Sequence, residues 1–222
     1  MHTPVSRRRF LVSGILALGL AVACWTPAAS LAQAGGFDQA LELFRQAQAG
    51  GDAARARDAF AALAKADPAQ PMAIAYEGAA QAMMGREAWM PWNKLRQTEG
   101  GLERIDQALA LLKPEHERQV VAGLPVAFAV RITAAHTFLS VPDGLFHRRA
   151  AGRKLLVRLQ SAPDLATAAP QARAAVLLVA ARAARAEDRT ADEKKALDQA
   201  LALVPEGFDA EQARKRLKEI AK

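Results

Sequence analysis

Metal chemistry needs imidazoles, thiolates or carboxylates spaced so that two of them reach one ion. Beyond residue 33 the histidines are His116, His136 and His147, and none stands in an HxH, HxxxH or HExxH arrangement. His136 sits among Ala134, Ala135 and Phe138, the setting of a packed or surface histidine. The one cysteine, Cys24, excludes an intrachain disulfide, a two-cysteine zinc site and CxxC redox chemistry. The sequence thus points to no metal and no cofactor.

Acid–base catalysis needs carboxylates held together in a pocket. The acidic groups Glu115-His116-Glu117, Glu187-Asp188 and Asp192-Glu193 fall at turns or first helical turns, where a negative charge complements the helix dipole. No GxSxG nucleophile elbow, SxxK pair or phosphate loop occurs, and Gly50-Gly51 and Gly100-Gly101 read as turn glycines. The chain reads as non-catalytic, with an enzyme assembled from scattered residues as the alternative.

Two stretches point to binding. Met83, Met84, Trp89, Met90 and Trp92 concentrate two of the three tryptophans with three of the five methionines. Such residues are enriched at recognition surfaces, and they also fill gaps between irregularly packed helices. The second stretch, Leu145–Gln160, carries Arg148, Arg149, Arg153, Lys154 and Arg158 and no acid. Arg149 with Arg153, and Lys154 with Arg158, share faces at i,i+4, while Leu145, Leu155, Leu156 and Leu159 mark the side expected to be buried. The basic face suits either an anionic partner or plain solvation.

The elements that must position these residues are helices. Hydrophobic residues make up 51% of the 222 but aromatics only 5%, so Ala and Leu, which favour helix, supply the core. The net charge is +7, with three of the positive charges in Arg7, Arg8 and Arg9. Without a basic tail or interleaved aromatics, the remaining excess is no nucleic-acid signature.

The start of the chain reads as a signal peptide over residues 1–32. Ser6, Arg7, Arg8, Phe10 and Leu11 resemble a twin-arginine motif, with Val12 where Lys is usual. An apolar stretch from Phe10 to Trp25 follows, shorter than the roughly 20 residues a membrane span needs. Ser30 and Ala32 then offer small residues for cleavage before Gln33. The resemblance implies export to the periplasm, with contact with the membrane only in transit. Two alternatives stand beside this reading: the general secretory route, and lipidation at Cys24, where Leu20 to Cys24 is similar to a lipobox.

Over residues 33–222 the spacing predicts helices at Phe37–Ala49 and Ala53–Ala66, divided by Gly50-Gly51 and capped by Asp52. Gly51-Asp52, Ala56, Phe60 and Pro68 resemble the second half of a tetratricopeptide repeat, although Leu63 and Phe44 stand where small residues are usual. A second unit starts at Pro71, with Gly78 at the small position and Gly85 at the turn. It continues through an irregular insertion at residues 86–93 to a helix at Leu102–Leu112. The middle is not visibly repetitive, with helices at Ala127–Phe138 and Leu145–Gln160. In a last unit Leu177, Ala180, Ala181 and Ala184 precede Leu197, Ala200 and Pro205, and a charged helix over Asp209–Ala221 closes the chain.

The resemblance implies an all-α fold, a short right-handed superhelix of stacked helical hairpins, and a protein or peptide partner in place of a substrate. A small-molecule-binding or transporter-accessory role is the alternative. A third binding surface is the groove lined by the first helices of the hairpins, near Tyr76, Gln81 and Arg182.

Overall fold

A computed structural model describes residues 28–221 of the chain, with side chains from residue 35 onward. Ser6, Arg7, Arg8, Phe10, Leu11 and Cys24 lie outside the described residues. The expected cleavage point between Ala32 and Gln33 falls in the opening turns of the first helix, α1 (Ala28–Gln48).

Among the described residues the fold is all-α apart from one hairpin of two-residue strands. After α1 come α2 (Ala53–Ala66), α3 (Pro71–Glu87), α4 (Pro91–Ala110), α5 (Val126–Phe138), α6 (Asp143–Phe146), α7 (Arg149–Gln160), α8 (Pro170–Ala186), α9 (Thr190–Leu203) and α10 (Phe208–Ile220). Each long helix packs on the next, α1 on α2, α2 on α3, α3 on α4, α4 on α5, α5 on α7, α7 on α8, α8 on α9 and α9 on α10, with the α3–α4 and α8–α9 contacts the most extensive. Alternate helices also touch along the series, α1 against α3, α3 against α5 and α5 against α8.

Local signals set several boundaries. The Asp52 carboxylate accepts from the amides of Ala54 and Arg55 at 2.9 and 3.3 Å, capping α2. Proline opens α3, α4 and α8, where its missing amide would have had no helical partner. α3 and α5 are apolar nearly all round, as befits helices enclosed by neighbours.

The second unit departs from the expected repeat. Gly85 is helical, and α4 starts at Pro91, so only Ala88, Trp89 and Met90 connect the two helices and the expected insertion is absent. The glycines mark a close crossing. A Cβ at Gly78 would stand 2.5 Å from the Gly101 carbonyl oxygen, one at Gly101 equally close to that of Gly78, and one at Gly85 against Thr98. Gly100 and Gly101 thus lie inside α4, not in a turn. Without side chains there, the two backbones approach so closely that neither Gly78 nor Gly101 leaves room for a Cβ.

The middle of the chain packs α5 on α7. A hairpin pairs β1 (Val120–Val121) with β2 (Leu124–Pro125) through Ala122 and Gly123, both at positive φ. The helix expected over Leu145–Gln160 is two helices. His147 adopts a left-handed conformation (φ 53°) between α6 and α7, and the Asp143 carboxylate accepts from the Arg149 amide at 2.8 Å. This break resets the helical phase, so Leu145, expected on the buried side, is 68% exposed.

Three apolar clusters hold the helices together. The largest joins α1 to α5 around Phe60, whose ring meets Phe37 edge-on at 5.5 Å and stacks on Tyr76 at 5.0 Å. The second lies where α5, α7 and α8 meet, and the third where α8, α9 and α10 meet.

Candidate functional site

The Trp/Met cluster divides in two. Met83 and Met84 lie on α3 and pack against the main core. Trp89 and Met90 sit on the α3–α4 connection and Trp92 in the first turn of α4; they are 88%, 40% and 64% exposed, and Leu95 beside them is 42% exposed. The rings therefore do not fill a gap between helices. The connection is short and proline-bounded, so it holds them outward with little backbone freedom to fold them back.

The basic stretch is less free than its own composition suggests. Arg148 pairs with Asp106 at 2.7 Å and lies over the Phe138 ring at 5.2 Å, tying α7 to α4 and α5. Arg149 stands 3.9 Å from Asp143, Arg153 2.9 Å from Glu187, and Arg158 4.0 Å from Glu117. Among the described residues Lys154 pairs with no acid. The acids that balance this helix come from other elements, which is why its own sequence hides them.

The inner groove also changes composition. Tyr76 is buried on Phe60 rather than groove-lining, and the Gln81 amide reaches across to Gln97 of α4 at 3.4 Å. Arg182 is half-buried on α8, where its guanidinium approaches Nε2 of His136 on α5 at 3.3 Å. Arginine stays protonated, so it donates and the imidazole accepts; His136 is then neutral, with its proton on Nδ1. Burial, followed by the charges of Arg182 and Arg86, pushes His136 down to about 3. Burial likewise lowers Arg182.

Other polar residues serve the fold. Glu193, expected at an exposed first turn, is 3% exposed and accepts from Arg216 of α10 at 2.6 and 3.0 Å. That carboxylate raises Arg216 above the usual guanidinium range. His116 is buried, and its Nδ1 accepts from the Lys113 amide at 3.0 Å. Among the described residues no three His, Cys, Asp or Glu side chains gather as a metal site, and no helix is long and apolar enough to cross a membrane. One cleft, of about 260 Å³, lies between Asp67, Gln70, Lys113 and His116, away from the tryptophans.

Neither the family models nor the curated proteins nor the solved structures contain a match to this chain.

Proposed function

We propose that this chain is an exported, non-catalytic helical-repeat protein that holds a protein or peptide partner in the periplasm. The exposed apolar group Trp89, Met90, Trp92 and Leu95 carries the reading. Rings of this size in water cost free energy that a partner recovers by covering them, and Trp is prominent among residues that dominate interfaces. The packing of each helix on the next, with α1, α3, α5 and α8 also in contact along the series, is consistent with stacked tetratricopeptide-like hairpins wound as a short right-handed superhelix. The leader residues Arg7 and Arg8 support export.

A small-molecule role needs Trp89 and Trp92 to wall a pocket; their exposure favours a flat contact instead. Capture from periplasmic extract with the full chain tests the proposal. A captured partner should be lost in the Trp89→Ala/Trp92→Ala double variant, with affinity falling at least about 30-fold for hot-spot truncations near 2 kcal/mol. Added salt should leave wild-type capture intact, because apolar burial is not screened. Undiminished capture by the double variant would refute this surface.

A further inference from the structure

Arg182 is the only charged residue between Ala174 and Ala184, in an otherwise apolar stretch of α8. It forms no ion pair with any acid among the described residues, and its side-chain hydrogen bond goes to a neutral histidine. The acid acting on it is Glu193 of α9, whose two oxygens already bind Arg216 of α10. The other charges acting on it are repulsive: Arg86 from α3, Arg185 from α8 itself and Arg216. Arg86 also acts on His136, and among the described residues it pairs only with its exposed neighbour Glu87, at 3.8 Å.

A half-buried guanidinium without a carboxylate is unfavourable, and a second guanidinium nearby worsens it. Solvated surface arginines do not need three helices to bring them together. Here α5 and α8 bring Arg182 and His136 within 3.3 Å of each other, the charge of Arg86 on α3 acts on both, and no acid among the described residues pairs directly with Arg182. His136 and Arg182 are half-buried and Arg86 is exposed, so the cluster opens to solvent.

We propose that Arg182, His136 and Arg86 form a cradle for an oxyanion, the carboxylate or phosphoryl group of a ligand. His136 accepts one N–H of Arg182 and so fixes the guanidinium plane. The remaining N–H groups of that fork are free to donate to two oxygens side by side, and the exposed Arg86 adds a second positive charge acting on the pair. None of the three residues belongs to the exposed tryptophan group.

Titration of the full chain with inorganic phosphate, and separately with citrate, tests the cradle. The His136 ring resonance, assigned by its loss in His136→Gln, is followed by NMR, with chloride at matched ionic strength as the control. At least one of the two anions should give a saturable shift that chloride does not, and which one binds separates phosphoryl from carboxylate recognition. A bound anion should also raise His136 from about 3 toward the ordinary imidazole range. Arg182→Gln should weaken binding tenfold or more, and Arg86→Gln severalfold. Should Arg182→Gln lose its helical circular dichroism, the exposed Arg86→Gln decides alone. Equal shifts with chloride, no saturable shift with either anion, or wild-type affinity in the folded variants would overturn the proposal.

Discussion

Phe60 shows how much rests on single side chains. Its ring is fully buried and meets Phe37, Phe44 and Tyr76. Phe60→Ala should therefore cost about 3–5 kcal/mol, read as a lowered urea midpoint. A change near zero would mean that the ring is not in the core. His136 makes a different demand. Its ordinary value of 6.5 applies when the chain unfolds, while the native group is held at about 3. The unfolded state therefore binds the extra proton. The stability from keeping His136 neutral is complete above pH 6.5 and is lost as pH falls towards 3, by at most about 1.4 kcal/mol per pH unit. In His136→Gln, whose amide oxygen can still accept from Arg182, this part of the acid sensitivity should vanish. An unchanged pH dependence of the urea midpoint would place the sensitivity in other groups.

At the level of helices, the sequence was clearest where a side chain or a proline sets a boundary by local chemistry. Ala53–Ala66 is α2 to the residue, because Asp52 caps it and Asp67-Pro68 stops it. Pro71 opens α3 for the same kind of reason. Glycine was ambiguous, since the residue that permits a turn also permits two helices to touch. Gly85 and Gly101 serve the second purpose, which depends on the partner helix and cannot be seen in either segment alone. Gly101→Ala separates the two roles. Its Cβ would stand 2.6 Å from the Ala82 amide nitrogen, so α3 and α4 must move apart, and overpacking of this kind costs about 1–3 kcal/mol. A turn position with free space would instead tolerate alanine, so an unchanged thermal midpoint would refute the close crossing. The candidate site was legible to the same extent. The sequence marked Trp89 and Trp92 but not their exposure, because the stretch read as an insertion is a three-residue connection leading straight into α4, and the pairing of His136 with Arg182 spans helices 46 residues apart in sequence.

For the whole molecule, the arrangement of helices and residues 1–32 bear on the export proposed above. The three apolar clusters draw on packing alone, since the one cysteine leaves no intrachain disulfide to form. Nothing in such a core requires folding to wait for an oxidising compartment, which is compatible with a route that carries folded cargo. Arg7 and Arg8 distinguish that route from its rival by a difference between two cations. A general secretory leader needs positive charge at its start, and lysine supplies it as well as arginine. A receptor that reads the planar, five-donor guanidinium does not accept the compact ammonium in its place. Arg7→Lys/Arg8→Lys keeps the charge and removes the fork. The doubly substituted chain should therefore accumulate in the cytoplasm with residues 1–32 uncleaved, as mass spectrometry of the N-terminus and fractionation would show. Export at the wild-type level would assign the leader to the general secretory route, while an N-terminus at a lipidated Cys24 in the wild-type chain would replace cleavage before Gln33.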